Sequence, residues 1–151
     1  EGDSKMIEQL KEEIEADEGR VTAVYADHLG YKTAGVGHFL RLGVDPEYEW
    51  PIGAPVSQER VDEWFDEDIK NVVNETTWHF DDWDDLPEEV QLICCNMMFN
   101  LGGPRFSGFK KFIAAVDQHD WPDAASEMKD SRWHRQVQNR SSRLIERMLA
   151  V

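Results

Sequence analysis

Cysteine is almost missing from this chain. Two are present, Cys94 and Cys95, and they are neighbours. A disulfide between adjacent residues is strained, and no CxxC or metal-ligand spacing is available. Both read as reduced core residues of a protein made in a reducing cytoplasm. Long apolar runs are missing too. No stretch approaches the roughly 18 residues of a membrane span, so stable membrane insertion is not expected. Basic residues are scarce: 16 Lys and Arg stand against 31 Asp and Glu, for a net charge of −15. Such an excess repels phosphate backbones and anionic lipid, which argues against nucleic-acid and anionic-membrane partners. Repeats and low-complexity tracts are absent. No secretory leader pattern opens the chain, and its first residue is Glu rather than Met. The expectation is a processed, trimmed or excised chain, with Met6 a candidate native start.

What is there suits a globular protein. A chain of 151 residues, 40% hydrophobic and 11% aromatic, can form one domain with a real core, in one or two lobes. The stretch that organises it is Glu18 to His38, EGRVTAVYADHLGYKTAGVGH. Two β-like runs, Val21 to Tyr25 and Tyr31 to Gly35, flank a turn of Asp27, His28, Leu29 and Gly30, so they read as a hairpin. Gly19 is a natural stop for a helix ending at Glu18. Glu18, Asp27 and Thr33 thus fall on a helix end, a turn and a strand that the chain folds back on itself.

Acid-assisted cleavage of a sugar–sugar bond needs such a set. One carboxylic acid protonates the leaving oxygen, and a second, ionised carboxylate activates water or stabilises the cationic centre. A hydroxyl can hold the water. The negative end of a helix disfavours an ionised carboxylate, which suits Glu18 to the role of acid.

The pattern E-(8)-D-(5)-T, set in EG…YxD…GYxTxGxGH, resembles the T4-type phage lysozymes, the muramidases among bacteriophage endolysins. The likeness continues in NMMFNLG (Asn96 to Gly102), GF (Gly108, Phe109), SRW (Ser131 to Trp133) and NRxxRxI (Asn139 to Ile145). The resemblance implies an α+β fold, with a small β-lobe and a larger helical lobe flanking a saccharide cleft. It assigns Glu18 as catalytic acid, Asp27 as second carboxylate and Thr33 as the residue that positions water. It also implies Phe39, Phe99, Asn100 and Arg140 as substrate-binding residues, with Arg140 beside Glu18 and Arg143 against Asp17. A basic wall-binding surface is the family habit, and the acidic charge here departs from it.

The rest of the chain supplies the frame. Residues 1–5 are polar and expected to fray. Ile7, Leu10 and Ile14 place a helix from about Ser4 to Glu18. GVGH after the hairpin reads as close backbone packing rather than a phosphate cradle, because no Rossmann or Walker continuation follows. Residues 41–56, with three prolines, should be irregular. Ser57 caps a long helix to about Thr77 whose apolar stripe includes Val61, Trp64, Phe65 and Ile69. Asp68 falls on that stripe and needs a partner, for which His38 is the candidate. The acidic, aromatic WHFDDWDD of Trp78 to Asp85 reads as a solvated connection. Asp85 and Glu88 resemble a capping box opening a core helix that stops at Gly102 and Gly103. A short amphipathic helix carries Phe109, Phe112, Ile113 and Val116. Asp120 caps the next, Trp133 is a core aromatic, and Leu144, Ile145, Met148 and Leu149 face inward on the last.

The organisation expected is one lysozyme-like domain over 1–151. Its N-terminal lobe spans about 16–60, its long connecting helix about 57–77, and its helical lobe about 85–151 together with the N-terminal helix. The expected activity is hydrolysis of the β-1,4 bond between N-acetylmuramic acid and N-acetylglucosamine in bacterial peptidoglycan. No metal or cofactor is called for. The chain is expected to act as a monomer, waiting in a host cytoplasm and then acting on the cell wall. The alternatives are the lysozyme domain of a phage tail protein, a hydrolase of chitin-like polymer, and an inactive peptidoglycan-binding module.

Overall fold

Met6, Leu10 and Ile14 recur on one face of α1 (Gly2–Glu18) and are all buried. The computed structural model describes residues 2–151, with side chains from Ser4 onward. The expected fraying at Glu1 lies outside the described residues, and the helix already runs from Gly2. It ends where Gly19 takes φ +78, with the Gly19 N–H donating to Glu15 O at 2.8 Å. The chain then forms an antiparallel sheet of β1 (Val21–Ala26), β2 (Lys32–Gly35) and β3 (His38–Phe39), in that order. The hairpin is the expected one. The third strand was not foreseen, since two residues are too few to show alternation.

Register fixes which side chains share a face. Tyr25 pairs with Thr33, and Thr33 pairs with Phe39, so these three form a row across one face of the sheet. The register of β1 and β2 shifts between Val21 and Tyr25. In the same stretch Thr22 and Val24 bond through their backbone to residues 53–56. Residues 41–56 are otherwise irregular, as proline content requires, with one turn of 3-10 helix at Pro46–Glu49.

Helix α2 (Gln58–Thr77) starts where the Ser57 hydroxyl accepts the Arg60 N–H at 3.1 Å, the cap expected from sequence. Val61, Trp64, Phe65 and Ile69 are buried. The described chain divides into two compact units: Ile7–Asn71, and Val72–Val151 with the first few residues. Both long helices run across the division.

The second unit is helical: α3 (Glu88–Leu101), α4 (Gly103–Ser107), α5 (Lys110–Asp117), α6 (Trp121–Lys129), α7 (Arg132–Gln136) and α8 (Gln138–Leu149). Helix α3 is buried almost all round, with Val90, Leu92, Ile93, Cys94, Cys95, Met97 and Met98 inside. Burial pushes the Cys94 thiol well above the usual range. Asp120 accepts the Asp123 N–H at 3.1 Å and caps α6 as expected. Three expectations are corrected. Asp85 lies in a 3-10 turn and caps nothing; Pro87 occupies the position before α3 with no side-chain cap. Leu149 is 59% exposed, because α8 ends there. The stretch from Trp78 is only partly solvated: Trp78 is 89% exposed, but Phe80 and Trp83 are buried against each other, and Phe80 also meets Phe106. Among the described residues no helix is long and apolar enough to cross a membrane.

Candidate active site

Glu18 closes α1, and its carboxyl lies over the backbone of Gly37. A β-carbon at Gly37 would stand 2.8 Å from Glu18 Oε1 and 3.2 Å from its carboxyl carbon. Gly37 also holds φ +60, a conformation costly for residues with a side chain. Gly35, at φ +67, similarly admits Val61 of α2, 3.2 Å from where a β-carbon would be. The GxG is therefore a packing device, and one of its glycines makes room for the Glu18 carboxyl. Tyr25 lies within electrostatic reach of both carboxylates. Burial pushes its phenol up first, and the charges of Glu18 and Asp27 push it further.

Asp27 and Thr33 meet at the main chain of one residue, Tyr31. Asp27 Oδ1 accepts the Leu29 N–H at 2.9 Å and the Tyr31 N–H at 2.8 Å. The Thr33 hydroxyl donates to Tyr31 O at 2.9 Å, and the Asp27 N–H donates to the same carbonyl at 2.9 Å. The turn thus fixes one carboxylate oxygen and the threonine rotamer together. Thr33 is buried, and its proton is committed to a carbonyl, so its oxygen faces any further partner as an acceptor. Phe39, 59% exposed, stands directly across from Thr33.

Behind the sheet, His38 donates or accepts on both ring nitrogens. Nδ1 lies 2.7 Å from Asp68 Oδ2, the pairing expected from the stranded carboxylate. Nε2 lies 3.1 Å from Asp45 Oδ2, a second partner that sequence reasoning missed. The ring stacks flat on Trp64, with centroids 4.7 Å apart, and Arg60 covers that indole at 4.7 Å. Burial alone would lower the His38 pKa; bonds and charges from Asp68 and Asp45 outweigh it and raise it. Burial would raise Asp45, but hydrogen bonds from the Arg41 side chain and backbone and from His38 bring it down to about 2. Arg60 also holds the buried Glu47 at 2.7 Å. The available signals were faint: Arg41 and Asp45 at i, i+4, and acids in a proline-rich stretch.

Phe99, Asn100 and Arg140 belong to the second unit. Arg140 is buried and donates from Nε to Asn96 Oδ1 at 2.9 Å. Asn100 Oδ1 accepts the Trp133 indole N–H at 2.6 Å, so α3 is stapled to α7 by the residue expected to bind sugar. Phe99 is half-buried on α3. A cavity of about 550 Å³ in this unit is lined by Phe109 and Trp133, by the cations Arg105, Lys110, Lys111 and Arg132, and by the carboxylates Glu127 and Asp130; Glu18, Asp27 and Thr33 do not line it.

A mainly helical fold with two carboxylates and a threonine set around one small antiparallel sheet is that of a lysozyme-type hydrolase. The chain belongs to the phage lysozyme family, whose model matches residues 15–150. It is 28% identical to probable T4-type lysozyme 2 of Dictyostelium discoideum, over 93% of each chain. It is 24% identical to the pre-baseplate central spike protein Gp5 of Enterobacteria phage T4, over 89% of this chain and 26% of that protein. It is 25% identical to the peptidoglycan hydrolase gp36 of Pseudomonas phage phiKMV, over 82% of this chain and 13% of that one.

Proposed function

We propose that this chain is a muramidase that hydrolyses the β-1,4 bond from N-acetylmuramic acid to N-acetylglucosamine in peptidoglycan. The observation that carries the reading is the shared anchoring of Asp27 and Thr33 on Tyr31. With Oδ1 held by two backbone N–H groups, Asp27 keeps Oδ2 for a water proton. With its own proton donated to Tyr31 O, Thr33 accepts a second hydrogen bond from that water. The two acceptors leave the water's lone pair aimed away from both, toward an anomeric carbon. Glu18 gives its proton to the departing glycosidic oxygen. Attack by water opposite the leaving group inverts the anomeric centre. Family membership and similarity to the peptidoglycan hydrolase gp36 support peptidoglycan as the substrate.

Biologically, this activity fits a monomeric endolysin held in a host cytoplasm until it reaches the wall. A second reading has one observation behind it. Gp5 carries its matching segment as about a quarter of a longer chain, so the present sequence could equally serve a tail spike. The test is the product from purified peptidoglycan. New reducing ends on N-acetylmuramic acid, lost by at least about 100-fold in Glu18→Gln, are expected. Reducing ends on N-acetylglucosamine instead would sink the muramidase assignment.

A further inference from the structure

The Glu18 carboxyl rests on the turn between β2 and β3, and the strand ladder holds that turn only weakly. Strand β3 has two residues, paired with β2 at Thr33–Phe39 and Ala34–His38, and Leu40 adds one bond to Lys32 O at 3.0 Å. So short a strand is marginal on its own. The His38 side chain supplies further support. Asp68 meets its Nδ1 from α2, and Asp45 meets its Nε2 from the proline-rich stretch. A neutral imidazole has one N–H, so only the imidazolium donates to both carboxylates. Asp45, 3% exposed, is gripped in turn by Arg41. The Arg41 backbone N–H donates to Oδ2 at 2.9 Å, its Nε donates to the same oxygen at 3.2 Å, and its Nη2 donates to Oδ1 at 3.3 Å. Arg60 stands 3.9 Å from Oδ1 and holds Glu47 as well.

We propose that Asp45 is a positioning residue for the catalytic acid: through His38 it holds the Gly37 backbone under the Glu18 carboxyl. This rests on the reading of Glu18 as the acid and names what keeps that acid in place. His38 follows Gly37 directly, and Glu18 Oε1 lies 2.8 Å from where a Gly37 β-carbon would be. A shift of the imidazole therefore moves the surface on which the acid rests. Gly35, packed on Val61, fixes the other end of the turn, so the His38 end is the one left to Asp45 and Asp68. A deeply buried carboxylate is a costly source of stability, and fixing one geometry is a better use for it. Asp27 and Thr33 have their own support on the Tyr31 main chain. Loss of Asp45 should thus disturb proton delivery and spare affinity for the glycan.

The experiment compares Asp45→Asn and Arg41→Lys with Asp120→Ala, which removes the cap of α6 and touches none of these residues. Turnover of peptidoglycan fragments is measured at about pH 6, where His38 carries its proton, and well below each melting temperature. Asp45→Asn should lower kcat roughly tenfold with KM within about twofold, and Arg41→Lys should lower kcat by less. Asp120→Ala should melt earlier and keep the wild-type kcat. Without substrate, Asp45→Asn should shift the Gly37 N–H and Glu18 carboxyl resonances and leave the Tyr31 N–H in place. Should Asp45→Asn fail to fold, Arg41→Lys carries the same two readouts. A wild-type kcat in the folded variant would overturn the proposal. So would unmoved Gly37 and Glu18 resonances, or an equal loss of kcat in Asp120→Ala. Resonances that move as expected in a protein with no turnover would keep the role of Asp45 at Glu18 and reject the muramidase.

Discussion

At Gly37 the Glu18 side chain occupies the space a β-carbon would need. Gly37→Ala should cost roughly 1–2 kcal/mol for its left-handed backbone. Its larger effect should be on rate, since a displaced carboxyl group can lose on the order of 100-fold. A melt and a kcat on one preparation check this; an intact kcat would mean that the carboxyl re-seats freely. Thr33→Ala should likewise cut turnover more than stability. The histidine behind the sheet gives a pH signature. His38 has a raised folded pKa, so its contribution is full below its ordinary 6.5 and is lost as pH rises through the folded value. Asp45 has a lowered one, so its contribution is full above its ordinary 3.8 and is lost as pH falls through about 2. That drop corresponds to about 2 kcal/mol. Stability from this cluster should therefore be greatest between about pH 4 and 6.5. NMR titration should find the His38 pKa lower in Asp45→Asn and lower again when Asp68→Asn is added. A His38 pKa indifferent to Asp45→Asn would reduce that contact to mere proximity.

Among elements, the staple between α3 and α7 has the clearest consequence. Asn100→Ala leaves the Trp133 indole N–H without its acceptor, and should cost roughly 1–3 kcal/mol. Chemical denaturation measures it. A stable Asn100→Ala with raised KM would return Asn100 to the sugar instead. The same residue shows what the sequence could reveal. Helices α1, α2, α6 and α8 announce themselves by apolar spacing and by caps such as Ser57 and Asp120. The catalytic candidates are local in sequence, so a motif exposes them. Asn100 and Trp133 lie far apart along the chain, and no periodicity reports a hydrogen bond between them. Asp45 and Glu47 were missed for the same reason: their partner Arg60 sits on α2, and only the fold brings it to the proline-rich stretch. Strand β3 was too short to see.

For the molecule as a whole, charge sets the conditions of action. Peptidoglycan stem peptides carry carboxylates, and the enzyme carries −15. Repulsion reaches about 10 Å at 0.1 M salt and about 3 Å at 1 M. Lytic activity, assayed well below the melting temperature, should rise from low salt to several tenths molar and then level off. A steady fall would give control to local cations such as Arg105, Lys110, Lys111 and Arg132 at the cavity of the helical unit, in spite of Glu127 and Asp130 beside them. Stability should rise with salt in parallel as self-repulsion eases. The adjacent cysteines of α3 offer a clock for that stability. Both are fully enclosed, and Cys94 resists ionisation where it sits. A maleimide or disulfide reagent can reach them only in molecules whose core has come apart. The rate of labelling in native buffer therefore counts openings of the helical unit, one molecule at a time, without heat or denaturant.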